Sequence, residues 1–379
     1  MIKSLKLIHF KSHKQTTINV KGLTVLCGPN GVGKSSFIQS LLLLRQTYFL
    51  NKLDSVLFLN GRLYEIGTVR DALHVSNEGE FYKKIAFEIE FKDSEINNWL
   101  FDADSDFNFL QLVNKDSQNT NYSDLALFKS NFHYISAFRS SDQTSAKDFD
   151  VVQEKQISYD KGKGDMVAHY LHFFGDKVEV IEKLRHPDSK FPFLKEQVSA
   201  WESDIISSGL DVVPEKVSDA QYDIRYNFNV KSIEVAEHNF SAVNVGYGLS
   251  YILPIIVAIL TSEPGALIII ENPEAHLHPH SISKLTELLS IASQAGIQII
   301  IETHSDHVIN GILVQTKRFE DESGITGVDR ENVSIYQFDR NENQLFTTSN
   351  EITIDAGGRI FQKPEGFFDQ IATDLRDLL

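Results

Sequence analysis

Cysteine is nearly absent from this 379-residue chain; the only one is Cys27. One thiol cannot form a disulfide within the chain, so the fold rests on its core, and a reducing, cytoplasmic setting is expected. Long apolar runs are also missing. The longest, around Ile252 to Leu260, is interrupted by Pro254 and is too short to span a bilayer, so no membrane partner is expected. The N-terminus, MIKSLKLIHFKSHK, has no apolar core of the kind a secretory leader needs. Basic charge is scarce: 36 Lys and Arg against 52 Asp and Glu give a net charge of −16, with no basic block. That excludes a nucleic-acid glove over the whole surface and leaves room only for a local basic groove. No internal repeat or heptad run appears, and the length suits one large or two ordinary domains.

Against these absences stands one stretch, Leu23 to Leu44, LTVLCGPNGVGKSSFIQSLLLL. Leu23, Val25, Leu26 and Cys27, with the strand former Thr24, predict a buried strand of a parallel sheet. Gly28, Gly33, Lys34 and Ser35 satisfy G-x-x-x-x-G-K-[ST], the phosphate-binding loop, and Asn30, Gly31 and Ser36 complete the nucleotide-binding stretch. Gly31 and Gly33 allow backbone conformations in which successive N–H groups converge on a phosphate. The following helix adds its positive end, with Phe37, Ile38, Leu41 and Leu42 on an apolar face ending near Arg45. Lys34 supplies a cation for the β and γ phosphates, and Ser35 a hydroxyl for Mg²⁺.

Two short strands are expected within residues 2 to 20. Alternation at Ile85, Phe87, Ile89 and Phe91 predicts an antiparallel sheet beside the nucleotide site. Residues 92 to 130 read as a solvated loop. Its acidic run Asp102 to Asp106 is no EF-hand, because Phe107 and Val113 stand where glycine and glutamate are needed. A strand is expected over His133 to Arg139, helices over Met166 to Phe174 and Phe193 to Ser207, and strands over Tyr222 to Val235. Residues 92 to 235 are thus taken as an inserted lobe.

Chemistry returns at NVGYGLSYILPIIVAIL, a glycine turn at Gly246 and Gly248 opening an apolar helix. Next comes ALIIIENPEAHLHP, a strand over Leu267 to Ile270 ending in Glu271 and Glu274. Carboxylates at a strand end beside a phosphate loop can hold Mg²⁺ or orient a water. His276, His278 and His280 lack the further ligands a zinc site needs and are read as packing and hydrogen-bonding groups. After a helix over Ser281 to Ala295, GIQIIIETHSDHVI gives a strand over Ile297 to Ile301 ending at Glu302, Thr303 and His304. Ligands bind at the carboxyl ends of parallel strands, so His304 is a candidate γ-phosphate sensor, with His307 on the next helix. Strands near Val333 to Phe338 and Gln344 to Thr348 and an amphipathic helix over Glu365 to Leu379 close the chain.

In order and spacing, GPNGVGKSS, NVGYGLS, IIIENPEAHLHP and IIIETHSDH resemble the ABC-type ATPases of the RecF, SMC and overcoming-lysogenization-defect group. The likeness is closest to small stand-alone, AAA-like bacterial members with a C-terminus like PEGFFDQIATDLRDLL. It covers residues 1 to 50 and 240 to 310 firmly and the middle poorly. The resemblance implies an α/β P-loop NTPase of ABC type, a mixed sheet flanked by helices, with an antiparallel β subdomain and the inserted lobe. The chain then divides into 1–91, 92–235, 236–349 and a tail, 350–379. It implies ATP and Mg²⁺ as cofactors, and a homodimer or higher homo-oligomer in which the phosphate loop of one copy faces the glycine turn of another.

Carried over by position, the resemblance implies that Lys34 and Ser35 bind phosphate and Mg²⁺, that Glu271 stands where the group has its metal-associated aspartate, and that His304 stands at the switch histidine. Gly246, Gly248 and Ser250 correspond loosely to the group's signature segment, which would leave backbone N–H groups and Ser250 for the γ-phosphate. Two positions depart from the group: Asn272 stands where it has its water-positioning glutamate, leaving Glu274 for that role, and the usual serine before Gly246 is missing. The nuclease domain of overcoming-lysogenization-defect proteins finds no counterpart after His304. A separate effector, a nuclease or toxin, is therefore the implied partner, with DNA as another and bacterial anti-phage defence as the setting. The alternatives are an ATP-dependent scaffold or sensor with little turnover and a RecF-like DNA repair ATPase. A nucleotide kinase is disfavoured by the two later strand-end motifs.

Overall fold

The computed structural model describes residues 1–75, 83–92, 96–117, 122–139, 148–206, 209–219, 221–228, 239–340, 346–361 and 375–378. Fifteen strands are described: β1 (Ile2–Phe10), β2 (His13–Asn19), β3 (Leu23–Cys27), β4 (Val56–Phe58), β5 (Lys84–Phe91), β6 (Ile96–Asp102), β7 (Phe109–Ser117), β8 (Phe132–Ile135), β9 (Leu210–Ser218), β10 (Gln221–Phe228), β11 (Phe240–Ser241), β12 (Leu267–Glu271), β13 (Gln298–Glu302), β14 (Val333–Asp339) and β15 (Thr348–Ile352). The helices are α1 (Lys34–Phe49), α2 (Val69–Ala72), α3 (Val167–Phe174), α4 (Leu194–Ile205), α5 (Tyr247–Leu260), α6 (Pro279–Gln294) and α7 (Asp306–Asp321).

The central sheet runs β15-β14-β3-β13-β12-β8, parallel throughout except for β15, which pairs antiparallel with β14. Its strands are short and rich in isoleucine because both faces are covered. Alternate residues divide between two cores. Leu23, Val25, Ile268, Ile270, Ile299 and Ile301 enter one with α5, α6 and α7; Leu26, Leu267, Ile269 and Ile300 enter the other with α1. The second core also takes in Leu5, Leu7, Ile85, Phe87 and Ile89 from a six-stranded antiparallel sheet ordered β2-β1-β5-β6-β7-β4. Helix α1 is thus held between two sheets, which explains why it is buried almost all round and runs past Arg45 to Phe49. A third sheet, β11-β10-β9, packs with α3 and α4.

Several expectations change. Residues 92 to 130 are not a solvated loop: β6 and β7 extend the antiparallel sheet from β5, and Trp99 and Phe101 are fully buried. Asn97, buried on the inward face, hid the alternation. The lobe boundary expected at 92 therefore falls beside strands that continue one sheet, and β8 belongs to the central sheet. The acidic run is paired in part, with Asp104 on Lys83 at 2.6 Å and Asp106 on Arg70 at 2.7 Å. The strand expected through Arg139 stops at Ile135. Near the C-terminus the strand begins at Thr348 rather than ending there, and Gln344 lies outside the described residues. The same holds for residues 229 to 235 and for most of the Glu365 to Leu379 helix. No helix among the described residues is long and apolar enough to cross a membrane.

Candidate active site

The phosphate loop joins β3 to α1, and the chain around it fixes its path. Gly28 (φ 129°) has no room for a side chain, since a Cβ would lie 2.2 Å from the Phe338 carbonyl oxygen on β14. Gly33 (φ 105°) caps α1 and is equally confined, 2.5 Å from the Ser12 and Thr347 hydroxyls. Both need glycine for φ and for space. Two groups brace the loop from behind. His13, fully buried in the β1–β2 turn region, has Nε2 3.0 Å from the Gly33 carbonyl and Nδ1 2.9 Å from the Thr16 hydroxyl. Burial pushes its pKa down to about 4, so the neutral ring donates from Nε2 to Gly33 and accepts from Thr16. Thr347 Oγ1 sits 2.7 Å from both Ser12 Oγ and the Val32 carbonyl.

In front of the loop lies a cavity of about 330 Å³, lined by Asn30, Gly31, Gly33, Lys34, Ser35 and Ser36 together with Lys11, Ser12, Gln39 and Glu302. Lys34 Nζ donates to the carbonyls of Gly28 (2.8 Å) and Pro29 (2.6 Å) and is 3.4 Å from His304 Nδ1. Burial lowers the Lys34 pKa, against the pull of Glu302. His304 Nδ1 also lies 2.9 Å from the Gly28 carbonyl; burial and the Lys34 cation lower its pKa, keeping the ring neutral. Lys11 is a second cation here, donating to Gln39 Oε1 at 2.8 Å, while Gln39 Nε2 donates to the Tyr64 hydroxyl at 2.7 Å.

The carboxylates depart from expectation. Ser35 Oγ donates to Glu302 at 2.8 Å, and Glu271 is engaged elsewhere: its Oε1 accepts from the Tyr134 hydroxyl (3.0 Å) and its Oε2 from the Ala137 N–H (3.3 Å). The carboxylate that meets the Ser35 hydroxyl is thus Glu302 and not Glu271, because β13 lies between β12 and β3 and its last residue reaches the helix start first. Glu271 and Glu302 are paired in register, and burial together with the Glu271 charge pushes the Glu302 pKa up to about 7. Burial also raises Glu271. Glu274 Oε1 accepts from the His304 N–H at 3.1 Å. Among the described residues, Glu302 Oε2, Glu274 Oε2 and Asn272 Oδ1 are buried without a hydrogen-bond partner. Gly246, Gly248 and Ser250 open α5 and do not line this cavity.

These donors fit Mg²⁺. They are hard oxygens, the Ser35 hydroxyl and a carboxylate with an unpartnered oxygen, and no cluster of three or more His, Cys, Asp or Glu side chains able to hold a metal is found among the described residues. Mg²⁺ ordinarily takes one or two carboxylates and completes its shell with phosphate oxygens and water. The histidine run sits apart from this chemistry: His278 Nδ1 accepts from the His280 N–H at 3.3 Å, and the His276 ring packs edge-on against Tyr251.

Sequence reading missed Glu302 although QIIIE repeats the pattern of LIIIE and the strand-end rule applied to both. It also missed Lys11, His13 and Gln39, whose approach to the loop depends on how two sheets enclose α1.

Fold and site together define a P-loop α/β domain with the fold of AAA/ABC-type ATPases. The family model described as "AAA domain, putative AbiEii toxin, Type IV TA system" matches residues 23–310, and the chain belongs to that family. A second model, for a protein of unknown function (DUF3696), matches residues 328–378. No curated protein matches the chain. Among solved structures it is similar in fold to an Smc head bound to the C-terminal winged-helix domain of ScpA (13% identity, 93% of this chain and 98% of the other covered, TM-score 0.54). It is likewise similar to an Smc head with an extended coiled coil bound to the C-terminal domain of ScpA, derived from Pyrococcus furiosus (11% identity, 100% and 99% covered, TM-score 0.54).

Proposed function

We propose that the chain binds ATP with Mg²⁺ at the Lys34–Ser35 loop and hydrolyses it. One observation carries this reading: Lys34, Ser35 and Glu302 line one cavity at the carboxyl ends of parallel strands, with Ser35 donating to Glu302 at 2.8 Å and Lys34 lying 3.4 Å from His304. Lys34 and the loop amides hold the β and γ phosphates, and His304 meets the γ-phosphate. Ser35 and Glu302 hold Mg²⁺, which when bound offsets charge developing on the phosphate oxygens. Glu274, with one oxygen on the His304 amide and the other unpartnered, orients the attacking water in place of the glutamate that Asn272 displaces. Glu271 keeps its neighbour's charge in check from the adjoining strand.

A second copy completes the site with its Gly246 to Ser250 turn. Gly246 faces open space, Tyr247 beside it is exposed, and the turn does not serve its own chain's cavity. ATP-dependent pairing would then control a separate effector in defence against phage, a reading in keeping with the toxin named in the family's description. The test is multiple-turnover phosphate release and calorimetry with Lys34→Ala. Loss of one charge-assisted contact to phosphate weakens ATP binding by about 100-fold. Unchanged affinity in that variant sinks the assignment. Asn272 favours a second reading, ATP as a structural ligand, which tight retention without phosphate release would support. Co-purification with the products of neighbouring genes, with and without ATP, identifies the effector.

A further inference from the structure

The side chain that joins the two halves of this site is Arg139, which none of the roles above uses. It follows β8, and its guanidinium is 1% exposed, an unusual place for a cation. Every donor of its fork is directed at a backbone carbonyl. Nε donates to Tyr251 on α5 at 2.7 Å. Nη1 donates to Ser136 (3.1 Å) and Glu271 (2.8 Å), and Nη2 to Asn272 (2.9 Å) and Pro273 (3.4 Å). The guanidinium carbon also lies 5.3 Å from the Tyr251 ring centroid. Burial lowers its pKa to about 10, with Glu274, Tyr251 and Glu271 opposing the shift, so it is charged at neutral pH.

The turn it grips needs gripping. Asn272 has φ 44° and His276 φ 63°, both in the left-handed region that side chains with a Cβ disfavour. Such residues persist where the surroundings over-determine them. From one side the Asn272 N–H donates to the Glu302 carbonyl at 2.8 Å; from the other Arg139 takes its carbonyl and the two flanking it. The His276 ring completes the link by packing on Tyr251.

We propose that Arg139 is a positioning residue that locks the Glu271–Glu274 turn to the start of α5, so that the carboxylates and the Gly246–Ser250 turn move as one body. Its catalytic consequence rests on the ATPase reading above; the mechanical claim does not. A planar five-donor fork can hold five carbonyls at once, whereas a lysine, a point charge with three donors, cannot. Arg139→Lys therefore keeps the charge and loses the brace.

The test is hydrogen exchange followed by mass spectrometry on the full chain without nucleotide, comparing Arg139→Lys with the parent. Exchange in 246–251 and 271–277 is expected to rise together by about tenfold, with 28–36 unchanged. Unchanged exchange in both segments, a rise in only one, or a rise throughout the chain overturns the proposal. Arg139→Ala strands several buried carbonyls and can unfold the protein, so Arg139→Gln, which retains two amide donors on a shorter stem, is the second variant, expected to raise exchange in the same two segments at least as much as Lys. In turnover, Arg139→Lys should lower kcat about tenfold with ATP affinity within about threefold, a split that general loss of fold does not give. Parallel loss of affinity counts against it. If the parent itself releases no phosphate, the ATPase reading fails while the exchange result still decides the brace.

Discussion

Strands β12 and β13 end in nearly the same words, LIIIE and QIIIE, and lie in register with Glu271 opposite Glu302. Yet the two glutamates do different things. Glu302 takes the Ser35 hydroxyl at the base of α1; Glu271 turns to Tyr134 and Ala137 on the far side. The difference comes from neighbours: β13 adjoins the phosphate-loop strand, and β12 is one place further out against β8. A strand-end carboxylate is therefore defined by its distance from the loop across the sheet as much as by its motif.

The comparison breaks most sharply under paired substitution. Glu302→Gln should slow turnover by about 100-fold and raise the Mg²⁺ concentration needed, as loss of a charge beside developing phosphate charge does. Glu271→Gln should cost about tenfold with the Mg²⁺ requirement little changed. If a magnesium titration of phosphate release ranks them the other way, the roles argued here are reversed. Glu274→Gln should slow turnover by about 30-fold while ATP remains bound, which nucleotide retention on a desalting column would reveal.

A smaller effect concerns pH. Folded Glu302 has its pKa pushed up to about 7, above the ordinary 4.5 it regains when unfolded. Between those values the native state holds the extra proton, so stability falls as pH rises from about 4.5 towards 7 and levels off above. The loss is on the order of 2 kcal/mol, read by urea unfolding without nucleotide at pH 5.5 and 7.5, and Glu302→Gln should flatten it. An equal slope in the variant assigns the effect to other groups. Smallest is Tyr134→Phe, which removes one buried hydrogen bond from Glu271, about 1 kcal/mol, and changes turnover severalfold at most.

Much of the nucleotide side was legible. The loop from Gly28 to Ser36, the strand Leu267 to Ile270 and the helix start at Gly246 each carry a local pattern with a local cause. The middle of the chain was not. Asn97 interrupted the alternation of β6, and the run ending β9, with Pro214, Glu215 and Lys216, has no element expected over it although β10 pairs with it. Arg139 looked like the end of a strand and is instead the buried fork under the Glu271 turn.

By itself, then, the amino-acid order determined where the phosphate-loop motif lies and which strands end in carboxylates, because glycine conformations, strand hydrophobicity and the Lys34–Ser35 pair act within a few residues of one another. Which carboxylate meets Ser35, what braces the loop and what joins α5 to β12 were decided only by the tertiary structure. Those contacts span up to 335 residues, as between Ser12 and Thr347. They depend on strand order across the sheet, a property no local stretch contains.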